Sequence, residues 1–194
     1  METVVDDAER LWAFAEDVYR RPGVEAACLK LQSRYGLSIS LLLCAIWTGL
    51  EGRGRLGVSD VEATVRRAQE WDREVIDPLR ALRRHLKLHP PQGVEDETYA
   101  VRKQLIETEM GAERIEQRLF LNDYPGDASA SPTGERWRDA AWNAGLVVRR
   151  KCPSCDPEAV SAIARVLVES CTHLELKAAV DAVQAVWPEG CQGL

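Results

Sequence analysis

No apolar run in this 194-residue chain approaches the roughly 20 positions needed to cross a bilayer. The longest, Leu37 to Leu50, is broken by Ser38, Ser40, Thr48 and Gly49 and reads as a buried helix. Basic charge is in deficit, with 25 Lys and Arg against 31 Asp and Glu and a net charge of -6. A surface of that sign offers no field for phosphate backbones or anionic lipid, so neither nucleic acid nor a membrane is expected as a partner. A basic leader is lacking too. The chain opens Met1-Glu2-Thr3-Val4-Val5-Asp6-Asp7, the reverse of a secretory n-region, and no signal peptide is expected. With that start, six cysteines fit a reducing compartment, where thiols act as small hydrophobes or ligands. The expected location is the cytoplasm.

Alternating β-branched runs bounded by turns are also missing, so no strand is predicted. What is present is helical periodicity with readable punctuation. Val4, Ala8, Leu11, Ala15 and Val18 form one stripe, stopped by Arg21-Pro22-Gly23. Val24, Ala27, Cys28, Leu31 and Tyr35 form a second, with Gly36 placed for a left-handed C-cap. The segment around Leu41 to Trp47 is apolar on every side and should be the central helix. Ser59-Asp60-Val61-Glu62 reads as a capping box opening the next helix.

From there Val61, Val65, Ala68, Asp72, Val75, Leu79, Leu82 and Leu86 keep a four-three rhythm, with a kink expected at Pro78. Beyond His89-Pro90-Pro91-Gln92-Gly93 a second seam follows: Val101, Leu105, Thr108, Ala112, Ile115 and Leu119. Two such helices joined by a short turn predict an antiparallel hairpin in which the seams bury each other. Arg66, Arg67 and Arg73 would then pair with Glu109, Glu113 and Glu116 at the surface, each pair worth about 0 to 1 kcal/mol.

Residues 122–135 are rich in turn formers and lack a period, and read as a linker. Three short helices are expected after it: one about Trp137, Ala141 and Ala144, one opened by Asp156-Pro157, and one opened by Thr172-His173-Leu174-Glu175 as a capping box. The predicted fold class is therefore all-α: a helical bundle with a long antiparallel hairpin over residues 1–122, a linker at 123–135, and a short C-terminal helical segment at 136–194 that packs on or beside the bundle.

Candidate chemistry is sparse. Cys152-Pro153-Ser154-Cys155 could form a disulfide, bind zinc, or carry a thiol activated by the helix that starts at Pro157. The βαβ setting of a redox motif is absent, and Cys171, His173 and Cys191 do not make a second tight pair, so incidental loop thiols are the ordinary reading. His85 and His89 could share a helix face, but Arg80, Arg83, Arg84 and Lys87 around them disfavour a divalent cation. Glu109, Glu113 and Glu116 lie along one helix as di-iron carboxylates do, yet no partner Glu-x-x-His exists, and a charged outer face is expected. No Gly-x-Ser-x-Gly turn or phosphate-cradling glycine loop occurs, and all three histidines are accounted for. Neither a catalytic residue nor a cofactor is predicted.

Aromatic and polar residues concentrate in the N-terminal third. Trp12, Tyr19, Gln32 and Trp47 are the candidate ligand-binding residues there, lining a pocket between neighbouring helices. For Gln32 the ordinary reading is structural: a buried amide bonded to an adjacent helix end, which must be satisfied.

Leu11-Trp12-Ala13-Phe14, Tyr19, Pro22-Gly23-Val24, Cys28-Leu29-Lys30-Leu31-Gln32, Gly36, Leu41-Leu42-Leu43, Trp47, Trp71, Pro78-Leu79-Arg80 and Arg83-Arg84, in that order, resemble an uncharacterised family of small bacterial all-helical proteins catalogued as a domain of unknown function. The resemblance covers about the first 120 residues. It implies a helical fold and a bacterial cytoplasmic setting, and no activity. Members often carry an acidic residue after the glutamine and Asn at the position of Ser40; Ser33 and Ser40 stand here, which would weaken a polar family site.

The leading expectation is a non-enzymatic interaction protein, an adaptor or regulator with a protein partner and a possible homodimer. The alternative is a small-molecule-binding bundle, or an enzyme acting on an apolar ligand.

Overall fold

The computed structural model describes residues 2–121 and 130–189, with side chains from residue 7 onward. Its helices are α1 (Glu2–Tyr19), α2 (Val24–Tyr35), α3 (Ile39–Leu50), α4 (Val58–Trp71), α5 (Asp77–Leu88), α6 (Glu95–Leu121), α7 (Arg136–Arg149), α8 (Pro157–Ser170) and α9 (Leu176–Gln184). No strand occurs among the described residues, and no helix there is long and apolar enough to cross a membrane. The fold is an all-α bundle. The body of the predicted linker lies outside the described residues, which resume with Ala130 and a single 3₁₀ turn at Thr133–Glu135.

Local punctuation works as the residues dictate at several breaks. Gly23 and Gly36 take the left-handed backbone, φ 78° and 61°, that ends one helix and begins or ends the next. Asp156 caps α8 by accepting the Glu158 N–H at 2.9 Å, with Pro157 behind it. The same carboxylate accepts the Tyr35 hydroxyl at 2.6 Å and lies 3.3 Å from Arg34, so one cap also fastens α2 to α8.

Two predicted caps form differently. Helix α4 is capped by Gly57, whose N–H donates to Asp60 at 2.8 Å, and Ser59 already lies inside the helix. Thr172 caps nothing: α9 starts one turn later, after His173 takes a left-handed φ of 66°.

Helix α3 is the centre, buried from Leu41 to Gly49. Its closest neighbour is α7, from the C-terminal segment. A Cβ on Gly49 would stand 2.2 Å from the Ala140 backbone nitrogen, so this crossing exists only because a glycine faces alanines. The apolar core runs continuously from Ala8 to Trp187, shared between both segments. Helix α7 also clamps the 51–57 turn. Buried Asn143 accepts the Leu56 N–H at 2.7 Å and donates to the Gly54 and Ala45 carbonyls, Trp142 donates to the Leu56 carbonyl, and buried Asp139 receives Arg55 and Ser131.

The hairpin forms, with two corrections. The Pro78 disturbance is absorbed as a π-helical turn at Asp72–Ile76, closed by the Asp77 N–H on the Asp72 carbonyl, because the proline lacks an N–H and its ring crowds the preceding turn. The α6 seam is also out of phase with the prediction. Val101 and Ile115 are over 40 % exposed, while the buried line is Thr98, Glu109, Ala112, Glu116 and Phe120. Near the tip the seams do not bury each other: α5 has no buried residue, and Leu82 is 48 % exposed. The distal hairpin is an arm standing off the bundle.

Candidate functional site

At the base of that arm, α1 to α7 line a cavity of about 960 Å³ that is open to solvent. Each predicted residue can be placed against it. Trp12 and Tyr19 on α1 and Gln32 on α2 line it. Trp47 does not: it is buried in the core, with the Arg53 and Arg10 guanidinium groups 5.3 and 5.9 Å from its ring centre. Gln32 is exposed, which corrects the reading of it as a buried structural amide. Ser40, where family members often carry Asn, also lies on the wall.

The glutamates expected on an outer face point inward instead. Glu109 and Glu116 are buried, and with Glu113 they form one wall. Their cations come from α5, not from Arg66, Arg67 or Arg73. Arg83 bonds Glu109 at 2.6 Å, and Arg80 bonds Glu113 at 2.7 Å and Glu109 at 3.3 Å, with Asp72 at 3.8 Å. Arg67 instead donates to the Leu119 carbonyl, and Arg73 pairs with its neighbour Glu74. The π turn matters here because it sets the face of α5 on which Arg80 and Arg83 lie. Burial presses down on the Arg80 charge, but Glu113, Glu109 and Asp72 outweigh it and hold the guanidinium protonated.

Glu116 is unlike its neighbours. It is 3 % exposed, and among the described residues no Lys or Arg forms a salt bridge to it. Burial, reinforced by Asp72, pushes its carboxyl up to about 7, against the pull of Ser40 and Arg80. Burial and then Asp77 raise Asp72 as well. Beside Glu116, Gln117 is 3 % exposed, lines the cavity, and has no hydrogen-bond partner for its Oε1. A buried acceptor left open in this way costs about 1 to 3 kcal/mol. The apolar part of the wall includes Val65, Ala68 and Phe120.

Residues 10–120 match a family described as protein of unknown function, DUF2390. The chain belongs to this family. Comparison with curated proteins and with solved structures found no match. The matched stretch ends within α6 and takes in most of the cavity wall, with Val147 of α7 and Arg150 and Lys151 just after that helix coming from beyond it.

The remaining candidates sit elsewhere. His85 and His89 have ring centres 5.3 Å apart near the arm tip, and among the described residues no group of three or more His, Cys, Asp or Glu is arranged to hold a metal. Cys155 is disulfide-bonded whereas Cys152 is a free thiol, so the two do not pair with each other, and Cys155 is no incidental thiol. Nor is Cys152 activated. Burial and then the Asp156 carboxylate at the helix cap raise its pKa, outweighing Arg34 and the Asp156 backbone N–H, which lower it. Cys28 and Cys44 are buried free thiols, each pushed up to about 12 by desolvation.

Sequence reasoning named Glu116 but placed it on a charged outer face, and it did not single out Gln117; both lie on a buried line that mixes polar and apolar residues. A usable signal was there: Arg80 and Arg83 share one face of α5 and match Glu109 and Glu113 across the hairpin.

Proposed function

We propose that this protein binds a small molecule in the cavity at the base of the arm. One observation carries the reading: a buried carboxyl with no salt-bridge cation, Glu116, lines the cavity wall beside apolar surface and Trp12 and Tyr19. Such a mixture of apolar lining and a few convergent polar groups is the usual make-up of a ligand site. Native mass spectrometry of the protein purified gently from its own host tests it. A small molecule retained by the folded protein and released on unfolding is expected; a bare mass from several preparations would refute the reading.

A second reading, the interaction protein acting as adaptor or regulator, is favoured by the arm. Leu82, Val101, Ile106 and Met110 are each over 40 % exposed there. The partner we propose is a second copy. Two arms laid side by side about a two-fold axis would set Arg84 and Lys87 at the end of α5 against Glu95, Asp96 and Glu97 at the start of α6. Sedimentation analysis should then show a dimer that Leu82→Glu dissociates; a monomer at every concentration would remove this reading.

The setting we propose is a bacterial cytoplasm, supported by the family resemblance and by the free Cys28 and Cys44 thiols. The Cys155 disulfide argues for oxidising surroundings, and thiol trapping in intact cells decides between them.

A further inference from the structure

The base of the arm is fastened to the bundle mostly by polar contacts. Helix α5 has no buried residue, and in the π turn before it only Ile76 is buried. The Trp71 indole N–H, at the end of α4, donates to the Ala112 carbonyl of α6 at 3.0 Å, and Arg80 and Arg83 pair with Glu113 and Glu109. A segment anchored in this way opens locally at less cost than a packed core. Glu116 is buried beneath this seam, one turn beyond Ala112 on α6. The Ser40 hydroxyl of α3 donates to it, among the described residues no Lys or Arg forms a salt bridge to it, and Asp72 of the π turn faces it with the same charge.

We propose that the seam between the π turn and α6 is a pH-sensitive joint: loss of the Glu116 proton moves the turn and the base of α5 off α6 while the bundle stays folded. An ionised Glu116 left in place faces Asp72 across a poorly solvated gap, whereas an open joint hydrates both carboxylates. Arg80 also faces Glu116, but it is already shared among Glu113, Glu109 and Asp72. Glu113 adds a like charge from the same helix, and Cys44 of α3 brings only a neutral thiol. Elsewhere on the lining, Glu16 and Arg20 of α1 pair with each other, Asp77 of α5 is exposed, and the exposed Arg84, Arg150 and Lys151 make no salt bridge to Glu116. Burial, then Asp72, keeps the proton on Glu116 up to about 7. The closed form holds the raised value, so the joint weakens as pH rises through neutrality. Opening carries Arg80 and Arg83 away from the cavity wall, and the inference stands whether or not the cavity holds a ligand.

Trp71 reports on the joint, because its indole N–H gives up the Ala112 carbonyl when the seam opens. Hydrogen exchange of that proton is followed by NMR on the full chain, the signal being assigned with Trp71→Phe. Corrected for the intrinsic pH dependence of exchange, its protection should fall by about 10-fold from pH 6 to pH 8, as a carboxyl passing from about 7 when closed to 4.5 when open requires. At both pH values it should lie below the protection of the buried α3 amides. Glu116→Gln should hold protection level, and Asp72→Asn should shrink the fall by removing the facing charge. A level profile in the unmodified protein, or a full fall retained in Glu116→Gln, overturns the proposal. Protection equal to that of the α3 amides overturns it too, since the seam would then open only by global unfolding. Should Glu116→Gln not fold, Asp72→Asn decides: a fall as large as in the unmodified protein refutes the joint.

Discussion

Replacing Glu116 by glutamine should change how stability depends on pH, and the size of the effect follows from its surroundings. The carboxyl is 3 % exposed, and burial next to Asp72 lifts it from an ordinary 4.5 to about 7. Below pH 4.5 the group is protonated in both the folded and unfolded chains and contributes no slope. Between 4.5 and 7 the unfolded chain gives up its proton while the folded chain retains it, so each pH unit costs the fold about 1.4 kcal/mol. Above 7 both forms are ionised and the loss levels off. The folded value is the raised one, so stability falls as pH rises, by about 3 kcal/mol across the window. Glutamine keeps the shape and does not titrate. Urea unfolding of both proteins at pH 5 and pH 8 should show the stability difference moving by about 2.5 kcal/mol in favour of Glu116→Gln at the higher pH. Parallel pH profiles would mean that Glu116 is solvated or paired, and the account of the cavity wall would be wrong.

Gly49→Ala should destabilise the bundle by about 3 kcal/mol or more, because the added carbon meets backbone at Ala140 rather than a movable side chain; an unchanged thermal midpoint would contradict the close α3–α7 crossing. Asn143→Ala should cost about 1 to 3 kcal/mol by stranding the buried Leu56 N–H, and hydrogen exchange at Leu56 should accelerate more than in the helices around it. Asp156→Ala should cost about 1 kcal/mol from the lost helix cap alone. It should also bring the Tyr35 hydroxyl down from its raised value, since burial and then the bond to Asp156 hold it up; a spectroscopic titration unchanged from the parent would exclude that contact.

Helix boundaries were legible where chemistry is local. Pro22-Gly23, Gly36 and Asp156-Pro157 each act within a few residues of themselves, and each does what its residue type requires. The centrality of α3 was legible because no face of it is polar. The phase of α6 was not. Periodicity selects Val101 and Ile115, whereas the folded chain buries Glu109 and Glu116 and leaves those two half exposed. Hydrophobicity cannot foresee that a carboxylate will be buried, because the compensating arginine arrives from another helix. The Asn143 clamp was hidden for the same reason: its partners at Ala45, Gly54 and Leu56 lie far away in the chain. Of the candidate pocket residues, three were brought together by the α1–α2 corner, and Trp47 went to the core on the fully apolar helix that carries it.

The π turn at Asp72–Ile76 makes the arm's alignment a matter of arithmetic. An α-helix advances roughly 100° for each residue, and a π turn holds one residue more than the α-turn it replaces. Deleting a single residue there would let the helix close regularly and swing everything beyond it by about that angle. Arg80 and Arg83 would leave Glu109 and Glu113, and the buried Glu109 and Glu116 would then share one wall with the half-buried Glu113 and without those two arginines. The length of this one turn is thus a timing element, a tooth on a gear that brings the arm's positive face round to meet the cavity.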